Sequence, residues 1–422
     1  MNLLIAFHHV TLIDGTGREP IPDATVAVRD GRIAYAGEAH PWLPSLEEDV
    51  LNINFAGKYI LPGLIDCHVH LAAGGETHGR VDGDDGVVTL RILHNARRSL
   101  AAGITTIRDL GGWNDLEFAV RDSIQRGEFC GPRLLLAGRC IAGSEAAAAK
   151  FPGRYSLVRD AEEVRKVARE HIRRGADVLE LGMTGSLLVQ DDQPVAKQMS
   201  LEEVSAAVDE ANNAQRRVAA HAHGLDGIRQ AVLAGVHTIE HGTYLHKGRD
   251  VVEEMKQRGT FLVPTLNAGR VLAEGGTSRV PAWMLERLNE TYEAARKSMR
   301  LAYQAGVPVA MGTNAGTPLN RHGENGLGVL SLQQAGMKPM DALVAATLTG
   351  ARALGKEADV GSVEAGKFAD LVVLDSDPLE DLNRLGDKKQ IRAVFLDGKL
   401  IARQPTDSYP KTILARDGLL IN

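Results

Sequence analysis

Gly235-Val236-His237-Thr238-Ile239-Glu240-His241 holds a helix stop, a strand and a candidate ligand in seven residues. Glycine suits the left-handed position that ends a helix. The apolar and β-branched residues behind it suit a buried strand. The same grammar recurs at Gly103 before Ile104-Thr105-Thr106-Ile107 and at Gly175 before Asp177-Val178-Leu179. It returns at Gly259 before Phe261-Leu262-Val263 and at Gly306 before Val307-Pro308-Val309. Between these stops the apolar residues keep a helical period, as in Val164, Val167, Ala168 and Ile172, or Val204, Ala207, Val208 and Ala211. The second of these helices opens on Ser200 and Glu203, a capping box.

Helix alternating with strand predicts parallel sheet. Eight strands are expected: Ile60–His68, Ile104–Leu110, Arg133–Ala137, Val178–Leu181, Arg217–His221, Thr238–His241, Leu262–Thr265 and Val307–Gly312. That number suits a closed (β/α)₈ barrel of the TIM type better than an open sheet. No dinucleotide-binding glycine fingerprint follows the first strand.

The two ends read differently. Val26-Ala27-Val28-Arg29-Asp30-Gly31-Arg32-Ile33-Ala34 has a near copy in Ala393-Val394-Phe395-Leu396-Asp397-Gly398-Lys399-Leu400-Ile401. Asp-Gly between apolar alternations is a hairpin signal. The expected architecture is therefore α/β: a barrel over 59–358 beside a small β-sandwich domain formed by both termini, 1–58 and 359–422.

The bulk properties agree. A chain of 422 residues, 44% hydrophobic and 24% charged, suits a large barrel with a satellite. Its net charge of −6 is spread without basic runs, which argues against nucleic acid or an anionic membrane as partner. Three cysteines, Cys67, Cys130 and Cys140, lack framework spacing and point to a reduced, cytoplasmic protein. Met1–Phe7 reads as a first strand rather than a leader, and no later run is apolar for long enough to span a bilayer.

His68-Val69-His70 closes the first expected barrel strand. Residues i and i+2 of a strand point the same way, so both imidazoles can reach one metal. Alone, this spacing is a weak signal. His221 ends the fifth strand and His241 the sixth, and functional groups in this fold sit at the C-terminal strand ends. Four imidazoles at three such ends point to a metal centre. His237 starts its strand, at the wrong end of the barrel, and reads as structural. His223, two past His221, is open between a structural role and a place at the same mouth.

Leu61-Pro62-Gly63-Leu64-Ile65-Asp66-Cys67-His68-Val69-His70 resembles the strand-one signature of the amidohydrolase superfamily. Val218–Gly224, Ile239-Glu240-His241-Gly242-Thr243, Gly312–Pro318 with His322-Gly323-Glu324-Asn325, and Gly361–Leu374 resemble its imidazolonepropionase-like branch, which includes Xaa-Pro dipeptidases and metallocarboxypeptidases. The resemblance implies a hydrolase of amide-type C–N bonds with one or two divalent ions, zinc first among them, held by His68, His70, Glu180, His221 and His241. The chain departs from the branch in three places. Glu180 stands where relatives carry a lysine that is carboxylated to bridge two metals; a glutamate offers the same kind of oxygen ligand. Asn314 stands where relatives carry an aspartate that serves as base, and an amide cannot accept that proton. His223 and Glu180 are the replacement candidates. The loop Ala137–Ala146 lacks the histidine with which carboxypeptidase relatives hold substrate; Arg139 and Lys150 are the cations there that an anionic group could meet.

The expected catalytic groups are thus Asn314, His241 (ligand or oxyanion donor) and His223. The expected substrate is a small molecule: an N-acyl amino acid, dipeptide, cyclic amide, carbamate or urea. A homo-oligomer is expected. Two alternatives stand beside this reading. A metal-dependent deaminase would need an acid after His221, where Ala222-His223-Gly224 stands instead. A non-catalytic relative of the barrel would explain Asn314 but not the retained histidines.

Overall fold

The computed structural model describes residues 4–39, 50–76, 81–275 and 280–403. Parallel strands run in barrel order as Leu64–Val69, Ile104–Asp109, Arg133–Leu136, Val178–Gly182, Arg217–Ala222, Thr238–His241 and Phe261–Val263. The eighth position is taken by residues 307–315, an irregular segment. It bonds to the seventh strand through Leu262 N to Pro308 O and Ala310 N to Leu262 O, both 2.9 Å. It bonds to the first through Cys67 N to Met311 O at 2.9 Å and Asn314 N to His68 O at 2.8 Å. The third strand meets the fourth through Asp177 N to Leu136 O at 2.8 Å, then through a second piece, Cys140–Ala142, paired with Leu181 and Gly182.

The glycine grammar has a direct physical basis. Gly103, Gly175, Gly235, Gly259 and Gly306 all take positive φ, between 70° and 98°, where a side chain would be strained. Ser200 and Glu203 form the reciprocal capping box. One apolar core fills the space between strands and helices, with Val164, Ala168, Val204, Ala207 and Ala211 all inside it.

The expected first strand, Ile60–His68, divides at Gly63. Tyr59–Pro62 pairs with Leu371–Leu374 and with Leu4–Leu12, and only Leu64 onward belongs to the barrel. Packing explains the break: a Cβ on Gly63 would lie 2.1 Å from Thr105 Oγ1, so the chain can step from one sheet to the other only on a glycine.

Tyr59–Pro62 is the centre of a sheet built from both ends. Its order is Lys399–Arg403, Ile391–Leu396, Leu371–Leu374, Tyr59–Pro62, Leu4–Leu12, Ile21–Arg29 and Arg32–Glu38, with Val50–Asn54 parallel to Leu4–Leu12. Asp30-Gly31 and Asp397-Gly398 are left-handed at both residues, as a type I′ hairpin turn requires. The two turns meet: Ala369 N donates to Gly31 O and Gly398 N to Ala369 O, both at 2.9 Å. Phe7, stacked on Phe55 at 5.5 Å and tilted against Phe395 at 5.0 Å, anchors a separate core. Residues 1–3, 40–49 and 404–422 of the expected terminal domain lie outside the described residues. Among the described residues no helix is long and apolar enough to cross a membrane.

Candidate active site

All of the expected site residues except His68 line one pocket at the C-terminal mouth of the barrel: His70, Glu180, His221, His223, His241 and Asn314. His68 stands directly behind, fully buried, with its ring 5.1 Å from His70 and 5.0 Å from His241. His237 is at the other end, where its Nδ1 accepts a hydrogen bond from Val218 N at 3.1 Å, a structural role.

Hydrogen bonding fixes how the imidazoles present themselves. His68 Nδ1 faces Glu240 Oε2 at 2.9 Å. Burial pushes the Glu240 carboxyl up, but Arg108 and His68 outweigh it and hold the group below the usual range, so it is an ionised acceptor. Nδ1 therefore carries the hydrogen and Nε2 a lone pair. His70 Nδ1 donates to the carbonyl of Leu110 at 2.5 Å, with the same consequence. His241 and His223 use Nδ1 on Thr265 Oγ1 and Thr243 Oγ1, each at 2.7 Å. His221 is reversed: Nε2 faces Gly185 O at 3.4 Å, which leaves Nδ1 pointing at His241 Nε2, 2.9 Å away.

The ring nitrogens of His221, His223 and His241 lie within 4.8 Å of one another, the one such trio among the described residues. His223, open in the sequence reading, is thus part of the inner cluster, stacked on His241 at 4.7 Å. His68, His70 and Glu180 stand around it rather than inside it.

A divalent ion fits these residues. His68 Nε2, Glu180 Oε2 and Asn314 Oδ1 are buried acceptors without a hydrogen-bond partner. Leaving three such atoms dry costs about 1–3 kcal/mol each unless something they can ligate is present. Burial lowers His221 to about 4 and puts His70, His223 and His241 well below the usual range, so all four are neutral, as ligands must be. Burial raises the Glu180 carboxyl, against the pull of His68 and Arg154.

The backbone is strained at the same place. His241, Thr265 and Asn314, at the ends of the sixth, seventh and eighth positions, have φ of 69°, 50° and 60°. Left-handed backbone is costly for a β-branched residue such as Thr265. It aims Thr265 Oγ1 at His241, and strain of this kind collects at functional sites.

Four supporting residues escaped the sequence reading. Arg108, among the largest fully buried side chains, donates Nε to Cys67 O at 2.6 Å, Nη1 to Thr238 Oγ1 at 3.0 Å and Nη2 to Glu240 Oε1 at 2.6 Å. It ties the first, second and sixth strands together behind His68. Asp66 accepts from Thr313 N at 2.9 Å and from Asn325 Nδ2 at 2.8 Å, fixing the eighth segment beside the first strand. Arg108, Glu240 and Asp66 were detectable as charges inside otherwise apolar strands, which are almost never buried unpaired. The fourth is Arg154, whose half-buried side chain lines the pocket. The expected cations are engaged elsewhere: Arg139 faces Asp115 at 3.5 Å, and Lys150 Nζ donates to Leu188 O at 2.5 Å.

The outer pocket wall is apolar. Leu187 and Leu188 follow the fourth strand; Leu266 and Leu272 come from helix Leu266–Gly275; Leu288 and Tyr292 come from helix Ala282–Ala305.

Comparison with known proteins agrees with this geometry. The chain is 30% identical over 421 residues to ochratoxinase of Aspergillus niger, covering 92% of this chain and 85% of that protein. It is 26% identical to imidazolonepropionase of Symbiobacterium thermophilum, covering 84% of each. Its structure superposes on a Xaa-Pro dipeptidase with bound methionine in the active site at a TM-score of 0.84 and 28% identity, covering 94% of this chain and 99% of that one. Residues 59–401 match the Amidohydrolase family, and the chain belongs to it.

Proposed function

We propose that this amidohydrolase cleaves the amide bond of a small N-acyl compound with a water activated at a zinc centre. The observation that carries the reading is the ring of unpartnered acceptors, His68 Nε2, Glu180 Oε2 and Asn314 Oδ1, around the trio His221, His223 and His241. His68, His70, Glu180, His221 and His241 hold the metal, with Asn314 Oδ1 as a weak neutral contact. When bound, such an ion lowers the pKa of water towards about 7 and polarises a carbonyl.

The chain's own residues supply the rest. Asn314 cannot remove a proton, but its amide orients the attacking water or the substrate carbonyl. Of the two replacement bases, Glu180 is the better. Its Oε2 lines the pocket without a hydrogen-bond partner, whereas His223 Nδ1 is engaged by Thr243 Oγ1 at 2.7 Å and its ring is packed on His241. Glu180 serves as base only in so far as its carboxylate is not fully committed to the metal, and it then returns the proton to the leaving nitrogen. His223 is left to pack against His241 and complete the cluster. The alternative role for His241, donating to the developing oxyanion, needs a hydrogen on Nε2 and excludes its holding the metal. The apolar outer wall receives the acyl group.

The names of the relatives support a C–N bond as target: a dipeptidase at 28% identity and an imidazolonepropionase at 26%. A cytoplasmic location is supported by Cys67, Cys130 and Cys140, which are buried and unpaired. The test is a panel of N-acyl amino acids, dipeptides, cyclic amides, carbamates and ureas, run beside nucleobases assayed for ammonia. Turnover within the amide panel supports the reading. Ammonia release from nucleobases alone would overturn it in favour of a deaminase.

A further inference from the structure

Arg154 is the unspent charge of the pocket. It lies in the excursion after the third strand, between helix Glu145–Lys150 and strand Tyr155–Leu157. Its backbone is held, with its N–H donating to Phe151 O at 3.0 Å and its carbonyl accepting from Cys140 N at 2.9 Å. Its guanidinium takes no hydrogen bond and no ion pair among the described residues. Arginine has five donors in a fixed fork, so a half-buried guanidinium without an acceptor presents unused binding capacity.

Its position is specific. A Cβ on Gly111 would stand 2.8 Å from Arg154 Nε and 3.3 Å from Glu180 Oε2, so the two groups share one corner of the pocket floor, with Gly111 left bare to make room. The Phe151 ring backs the guanidinium, centroid 6.0 Å away. Leu266, Leu272, Leu288 and Tyr292 line the same pocket. One pocket therefore offers a ligand a cation, the histidine cluster and an apolar wall.

We propose that Arg154 binds a carboxylate of the substrate, which makes the substrate an N-acyl amino acid with an apolar acyl group. This rests on the amide-hydrolase reading and narrows it. The fork matches a carboxylate in two parallel N–H···O bonds. Cyclic amides, simple ureas and uncharged carbamates offer Arg154 a neutral carbonyl oxygen at most, without the charge-assisted bidentate pair. The scissile carbonyl then lies over the histidine cluster, with the carboxylate on the leaving-amine side towards Gly111 and the acyl group on the leucine wall. Arg154 here determines specificity and takes no part in bond breaking.

The experiment uses the metal-replete enzyme, its Arg154→Met and Arg154→Lys variants, and two matched pairs of compounds. N-benzoyl-L-leucine and N-benzoyl-L-leucinamide are assayed for benzoate release. Binding of 4-phenylbutanoate and 4-phenylbutan-1-ol, which cannot be hydrolysed, is measured by calorimetry, with metal content determined for each protein. Wild type should prefer the acid over its amide by ~10-fold or more in kcat/KM, mainly through KM, and bind the carboxylate over the alcohol by a similar factor. Arg154→Met should bring both ratios near one at unchanged metal content. Arg154→Lys, which keeps the charge but not the fork, should fall between. Ratios near one in wild type, or a preference that survives in Arg154→Met, would overturn the proposal. If neither benzoyl compound is cleaved, the hydrolase reading fails for this class, while the binding pair still decides what Arg154 recognises.

Discussion

Glu240 Oε2 accepts the Nδ1 hydrogen of His68 at 2.9 Å, and both side chains are buried to 1% exposure or less. The other carboxylate oxygen takes Arg108 Nη2 at 2.6 Å. One acid therefore fixes the tautomer of His68, a proposed metal ligand, and neutralises a buried guanidinium. Carboxylates that orient ligand histidines in this way commonly account for 10–100-fold in metal affinity.

Glu240→Gln should accordingly weaken zinc binding by about 10–100-fold. It should also destabilise the fold by about 3–5 kcal/mol, because Arg108 loses its counter-charge inside the barrel. Zinc titration against a competing chelator and thermal unfolding would measure the two effects separately. Wild-type zinc affinity in the variant would mean that the pair has no part in presenting His68.

Asn314 gives a two-sided expectation. Its Oδ1 is buried without a partner, and its left-handed backbone, φ 60°, is one that asparagine tolerates. Asn314→Ala should lower turnover by roughly 10–100-fold through loss of orientation. Asn314→Asp adds a negative charge at the centre and should alter the number of ions bound or the pH–rate profile. A large gain in activity with unchanged metal content would instead mark a site decaying from an aspartate-based reaction.

His322 supplies a pH signature. Its Nε2 donates to His70 O at 3.1 Å and to Ala73 O at 3.2 Å, and burial lowers it to about 4. An unfolded histidine titrates near 6.5, so between these values the unfolded chain binds more protons than the folded one. The stability contributed is complete above pH 6.5 and is lost as the pH falls towards 4. Its full span is on the order of 3 kcal/mol. His322→Gln keeps a donor but cannot titrate. Its stability deficit relative to wild type should therefore shrink between pH 7 and pH 4.5 in denaturant titrations, and parallel curves would refute the assignment.

Much of this was legible in the sequence, for stated reasons. Glycine stops are local, so Gly103, Gly175, Gly235, Gly259 and Gly306 marked the starts of five strands and put His241 at the end of one, while His221 followed from the apolar run Val218-Ala219-Ala220 before it. The Asp-Gly turns are equally local and paired the termini. The division at Gly63 was not legible, because Ile60-Leu61 is apolar whichever sheet it joins. The decisive contact, with Thr105, comes from 42 residues away, the difference of the two residue numbers. The role of Glu240 was hidden for a related reason: its partners Arg108 and His68 are adjacent only across the closed barrel. Arg154 sits in a turn with no periodicity to place it, whereas Arg139 and Lys150 lay closer to the loop that resembled a substrate-binding segment. Which cation remains free depends on where Asp115 and Leu188 O stand, and that is a property of the fold alone.

Metal-dependent amide hydrolysis is the reaction proposed for this histidine cluster. Its most direct test is benzoate release from N-benzoyl-L-leucine, measured on the enzyme as purified, after exhaustive chelation and after readdition of zinc, with metal counted at each stage. Activity should disappear with the ion and return with it, and His68→Ala should neither retain zinc nor recover. Undiminished hydrolysis by the metal-free protein, or by His68→Ala, would mean that the reaction needs neither the ion nor this histidine.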